Sequence, residues 1–127
     1  MIKRIFKYGL VGLSGVAVAM AIITLCVEVF KMNPRTAWYV AAFFTILNNF
    51  ILNNYYTWSE RKVKKQKEIV KKIVLYYIFM TLTVALNYFV YNILLNRGFH
   101  YLISITLTIL ICASLNFLVN ELVVWSE

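Results

Sequence analysis

Side-chain amides are costly inside a lipid bilayer, yet this chain places asparagines in pairs within its apolar stretches. Asn49 and Asn53 stand four residues apart, as do Asn116 and Asn120, so each pair lies on one helix face. A carboxamide carries two donors and one acceptor oxygen. Inside a membrane such groups have two uses. They hydrogen-bond across helices, at about 0.6–2 kcal/mol each, or they line a polar groove that hydrates a headgroup passing between helices. Both readings stand, because polar residues within spans are functional candidates by default. Asn48 and Asn54 broaden the first stripe, and Thr83, Asn87 and Tyr91 form a similar one. Glu28 and Glu121 lie near span ends, where the general cost of intramembrane carboxylates makes proton coupling a further reading.

The pairs belong to a longer word spelled twice. Asn49-Phe50-Ile51-Leu52-Asn53 runs on to Trp58-Ser59-Glu60, and Asn116-Phe117-Leu118-Val119-Asn120 runs on to Trp125-Ser126-Glu127. Six residues match at identical spacing, which indicates an internal duplication, with copies over 1–60 and 68–127. Each copy holds two apolar segments, so both enter a bilayer the same way round, as a parallel repeat about an axis along the membrane normal.

Composition supports a membrane setting for these elements. Of 127 residues 62% are hydrophobic, only 14% are charged, and the mean hydropathy is +0.75, well away from a soluble domain. Four stretches lack charge over spanning lengths: Tyr8 to Val27, Thr36 to Trp58, Ile73 to Leu95 and Phe99 to Asn120. About 20 apolar residues cross a bilayer as a helix, and these runs show no polar alternation that would suggest a barrel. The expected fold is an all-α integral membrane protein: a single transmembrane domain over 1–127, with spans near 8–30, 36–58, 72–95 and 100–124, arranged as two duplicated helical hairpins. The first segment follows Lys3, Arg4 and Lys7 but is too long for a signal sequence and ends at Glu28-Val29-Phe30-Lys31, so it reads as an uncleaved span.

The net charge of +8 is unevenly spread. Ten basic residues lie before the first span or between the second and third, against Lys31, Arg35 and Arg97 in the other two loops. The positive-inside rule therefore puts both termini and the central loop in the cytoplasm, with the protein multi-pass in the cytoplasmic membrane. The loop reads as a topology determinant touching anionic headgroups rather than a nucleic-acid patch. Asn33-Pro34 reads as the cap and first turn of the second helix, Arg97-Gly98 as the second outer turn, and His100 as an interfacial anchor or cap. Gly12, Gly15 and Ala19 share a face suited to close helix packing, either within the monomer or as the seam of a homo-oligomer. Trp58 and Trp125 read as interfacial anchors, and Cys26 and Cys112 as small packing residues. No phosphate loop, dinucleotide fingerprint, nucleophile–base set or metal-ligand spacing is present. No enzyme activity, cofactor or metal is expected.

With these residues in view, the sequence resembles the GtrA-like family of small four-span membrane proteins. Lys7-Tyr8-Gly9-Leu10-Val11-Gly12 is similar to that family's opening, and Asn49 to Asn53 with Thr57-Trp58 resembles its Asn-Phe-x-x-Asn-Arg-x-Trp-Thr-Phe signature, echoed by Asn116 to Trp125. The signature's Arg falls on Asn54 and Glu121, its Trp on Tyr56 and Val123, and its last Phe on Trp58 and Trp125. A phosphate contact through that Arg is therefore not carried over. The cations on the corresponding surface are Arg4, Lys7, Lys71 and Lys72. The resemblance implies translocation of a polyprenyl-phosphate-linked sugar across the cytoplasmic membrane, for glycosylation of cell-surface polysaccharide or teichoic acid. Its partners would be that lipid and membrane glycosyltransferases. Lipid contacts are expected at Asn49, Asn53, Asn87, Asn116, Asn120, Glu121 and the four cations. The alternatives are an anchor or assembly partner for a polyprenyl-phosphate glycosyltransferase, and a small drug or ion transporter.

Overall fold

The computed structural model describes residues 1–126, including every side chain among them except those of Tyr101 and Ile105. No strand occurs among the described residues. The chain divides into two compact units, Met1–Lys65 and Gln66–Glu127, parting within the lysine-rich segment.

The first unit is a hairpin of α1 (Ile2–Thr24) and α2 (Pro34–Leu52). Each helix ends in a π-helical turn, Leu25–Val29 after α1 and Asn53–Thr57 after α2. A short 3₁₀ turn, Ser59–Arg61, follows. The start of α2 is set as the sequence indicates: Asn33 accepts the Arg35 backbone N–H at 2.9 Å, and Pro34 takes the first helical position, where no N–H is needed. The second unit pairs α3 (Gln66–Asn96) with α4 (Tyr101–Val119), which ends in a π-helical turn over Asn120–Val124. His100 acts as the cap here, its Nδ1 accepting the Leu102 N–H at 3.2 Å. Because α3 begins at Gln66, Lys67, Lys71 and Lys72 sit on its first turns rather than in a loop.

Among the described residues, three helical segments are long and apolar enough to cross a membrane: Ile2–Val29, Gln66–Asn96 and Leu102–Val124. The fourth, Pro34–Thr57, has the length but not the same apolarity, and Asn48, Asn49, Asn53 and Asn54 account for the difference.

The two hairpins share their internal geometry. Tyr8 of α1 meets Trp58 edge-on at 5.9 Å and 70°, and Tyr76 of α3 meets Trp125 at 5.7 Å and 69°. The tryptophans are 67 residues apart and the tyrosines 68, so the first hairpin is one residue longer between its tyrosine and its turn. That extra residue is absorbed by the π-helical turn at Leu25–Val29, where α3 runs on without one. A π turn closes on i→i+5 bonds, one residue wider than an α turn. Beyond it the copies are back in step. Lys31 (φ 55°) occupies the left-handed position that Gly98 (φ 89°) fills in the second copy, a conformation that costs a side-chain-bearing residue about 1–2 kcal/mol.

Candidate functional site

The duplicated asparagines sit on one row of α2 and one row of α4, at every fourth residue: Ala37, Ala41, Thr45, Asn49 and Asn53 in the first helix, Ser104, Thr108, Cys112, Asn116 and Asn120 in the second. Small and polar residues here let the partner helix approach closely. In the first hairpin that approach is tight. A Cβ added at Gly15 would lie 2.6 Å from the Asn49 Oδ1, so only glycine leaves room for this amide. Asn49 Oδ1 also accepts from Asn48 Nδ2 at 3.3 Å, and Asn48 in turn donates to Ser14 Oγ at 3.3 Å. A Cβ added at Gly12, by contrast, would meet nothing within 4 Å among the described residues, so the two glycines of this face differ in use. In the second hairpin Thr83 stands at the place of Gly15 and donates its hydroxyl to Asn116 Oδ1. Asn87 bonds back to the Thr83 carbonyl at 3.1 Å, on its own helix.

The second asparagine of each pair opens the π-helical turn that leads to the tryptophan. Asn53 O accepts from Trp58 N at 2.8 Å, and Asn120 O from Trp125 N at 2.8 Å. Both tryptophans are wholly buried. This corrects the expectation of interfacial anchors: they close the ends of their hairpins against a tyrosine, and the shared π turn aims them inward. Cys26 and Cys112 are buried free thiols, consistent with packing.

The copies part at the amide side chains. Asn53 Oδ1 accepts the Thr57 hydroxyl at 2.8 Å. At the place of Thr57 the second copy has Val124, equally buried. Asn120 is 0% exposed, and neither its Oδ1 nor its Nδ2 has a partner among the described residues. Ser104 Oγ, at the other end of the same row, is also buried without one. Glu121 is buried beside Asn120, and its counterpart Asn54 does a different job. Asn54 pairs with both backbone groups of Val63, accepting its N–H at 2.9 Å and donating to its carbonyl at 3.3 Å, which ties the start of the basic segment to the end of α2. Sequence reasoning counted Asn54 only as a widening of the stripe.

The expected cations are placed unequally. Arg4 Nε pairs with Glu60 Oε1 at 2.9 Å. Lys7 donates to the Tyr56 carbonyl at 3.3 Å and lies over the Tyr56 ring, 4.9 Å from its centroid. Both are thus gathered at the Trp58 end of the first hairpin. Lys71 is exposed and Lys72 half-buried on the first turns of α3. The Glu60 carboxyl lies below the usual carboxylate range. A backbone hydrogen bond within Glu60 is the main cause, opposed by slight desolvation and aided by the hydrogen bond and charge of Arg4 and the charge of Arg61. The residues missed from sequence were Tyr8, Tyr76 and Gly15 as partners of the repeated motif. A search for repeats allowing a one-residue shift between helices would have found the tyrosines.

Each hairpin thus carries a row of half-buried and buried amides able to hydrogen-bond hydroxyl groups, and no nucleophile–base arrangement occurs among the described residues. Residues 7–125 match the family described as "GtrA/DPMS, transmembrane domain". The chain belongs to this family. It is also 30% identical, over 125 residues, to a protein of Pyrococcus furiosus named dolichol-phosphate mannosyltransferase; the match takes in 98% of this chain. The chain spans 34% of that relative's length. Membership of this family and the long apolar helices among the described residues make this a multi-pass membrane protein.

Proposed function

We propose that this protein carries a polyprenyl-phosphate-linked sugar across the cytoplasmic membrane, with all four helices spanning and both termini inside. The reading rests most on one observation. Asn120 is a fully buried amide with both its hydrogen-bonding groups unengaged, inside a chain otherwise suited to lipid. Leaving a buried polar group unpaired costs roughly 1–3 kcal/mol, a cost that a hydroxyl-bearing ligand would remove. The physical task is to keep a phosphate and sugar hydroxyls partnered while the polyprenyl tail stays in hydrocarbon, where a bare charge at the midplane costs between about 3 and 17 kcal/mol. No nucleotide is consumed in this scheme. The carrier equilibrates the lipid, and use of the sugar on the outer face sets direction. In the first hairpin Arg4 and Lys7 are engaged by Glu60 and Tyr56, and Lys71 and Lys72 of the second hairpin are the cations that would meet the phosphate at the inner surface.

A second reading has support of its own. In the Pyrococcus furiosus relative the matched segment is a third of a longer chain named as a transferase, so such a helical domain also suits an anchor for a glycosyltransferase. Purified protein in liposomes with a radiolabelled polyprenyl-phosphate sugar separates the two. Transbilayer movement well above that in protein-free liposomes is the expected result. Movement equal to that of protein-free liposomes, with retained binding to a glycosyltransferase, would establish the anchor instead.

A further inference from the structure

The two hairpins descend from one pattern, and their differences fall along one row. In α2 the row is apolar from its start, Ala37 and Ala41, and gains polarity only at Thr45. In α4 the same positions are Ser104 and Thr108, both fully buried, followed by Cys112, Asn116 and Asn120. From Ser104 to Asn120 the row covers about 24 Å at 1.5 Å per residue, most of the roughly 30 Å of a bilayer's hydrocarbon. Thr108 uses its proton on the Ser104 carbonyl at 2.7 Å, which leaves its oxygen able to accept. Unengaged groups stand at both ends, Ser104 Oγ at one and the Asn120 amide at the other. In the first hairpin Thr45 Oγ1 is the one such atom among the described residues, and the terminal amide is closed by Thr57.

We propose that the two copies have divided the work. The α4 row from Ser104 to Asn120 is the track on which headgroup hydroxyls exchange hydrogen bonds as they cross, and the first hairpin is its closed structural counterpart. This deepens the translocation reading and rests on it. Asn120 is the hydroxyl-recognising group nearest the basic end, because a carboxamide presents donor and acceptor together, as adjacent hydroxyls of a sugar do. Val124 is what keeps it open: a threonine there would satisfy it internally, as Thr57 satisfies Asn53.

The test transplants each hairpin's chemistry into the other. Val124→Thr installs the closing hydroxyl. Ser104→Ala with Thr108→Ala copies Ala37 and Ala41. Thr57→Val makes the reciprocal change in the first hairpin. The full-length protein is placed in liposomes with radiolabelled polyprenyl-phosphate mannose, and binding of the same lipid is followed in detergent by native mass spectrometry. Val124→Thr and the double variant are expected to slow movement and weaken binding by roughly tenfold, the scale of one lost hydrogen bond at its upper range. Thr57→Val should stay within about twofold of the parent in both, and thermal unfolding of Val124→Thr should show no loss of stability. Movement and binding that are unaltered by Val124→Thr and by the double variant would overturn the inference while leaving translocation standing. If the parent protein moves no lipid, translocation falls and the binding data decide the inference: sensitivity to Val124→Thr supports recognition on α4, and insensitivity removes it.

Discussion

At the scale of single residues, the same amino acid does opposite things in the two copies. Asn53 is a satisfied core amide, so replacing it with leucine strands the buried Thr57 hydroxyl, at a cost of roughly 1–3 kcal/mol. Asn120→Leu removes two unpaired groups and should leave stability equal or higher. Detergent thermal melts of the two variants should therefore move in different directions, with Asn53→Leu the lower. Sequence reasoning alone treats the two as equivalent. The Thr57 and Val124 identities are plain in the sequence, but they acquire meaning only once the structure shows Asn120 buried with no hydrogen-bond partner among the described residues. Glycine shows the same split. Gly15→Ala drives a methyl into the Asn49 amide, which Asn48 holds in place, and overpacking of this kind costs about 1–3 kcal/mol. Gly12→Ala meets open space and should gain up to about 1 kcal/mol in helix propensity. Unfolding midpoints that shift alike for the two alanines would show that the α1–α2 approach at Gly15 is not as close as described.

Among the elements, the four long helices, the Asn33 cap and the turn at Gly98 were legible, because composition, capping chemistry and left-handed backbone each leave a residue signature. The π-helical turns were not. An i→i+5 backbone pattern has no residue type of its own, and one such turn hides the one-residue insertion that puts Tyr8 and Tyr76 out of register with Trp58 and Trp125. The signature word marks where α2 and α4 end; that its tryptophans turn inward follows from the turn, not from their type. A second element-level feature is the tether between the start of α1 and the segment after α2. Arg4 and Glu60 make an exposed pair, worth a fraction of about 1 kcal/mol. The Glu60 pKa is lowered in the fold, so its contribution is present above the ordinary carboxylate range and is lost as pH falls through the folded value. The small difference in melting temperature between the parent and Glu60→Gln is expected at neutral pH and should vanish in acid, once the pH falls below the lowered folded value. A difference that persists there would mean the tether does not depend on the carboxylate.

For the whole molecule, the proposed orientation rests on charge. Among the described residues, Lys62, Lys64, Lys65, Lys67 and Lys71 are exposed around the junction of the two units, while the turns at the other end of each hairpin carry Lys31, Arg35 and Arg97. Asn54 holds the start of the basic segment to the end of α2 through Val63, so its lysines emerge beside the helix end rather than on a free loop. Near an anionic inner leaflet each such cation is worth about 1 kcal/mol, and moving the segment outward would forfeit that attraction along its whole length. The translocation reading needs this orientation too, since Lys71 and Asn120 of the second hairpin must meet the lipid where its sugar is attached. Single cysteines at Lys65 and at Gly98, in a chain with Cys26 and Cys112 replaced by alanine, provide the check. An impermeant thiol reagent added to intact cells should label position 98 and reach position 65 only after the membrane is opened. Labelling at 65 but not at 98 would invert the protein in the membrane, place the unpaired Asn120 amide at the outer face, and make capture of a cytoplasmically made lipid at that end untenable.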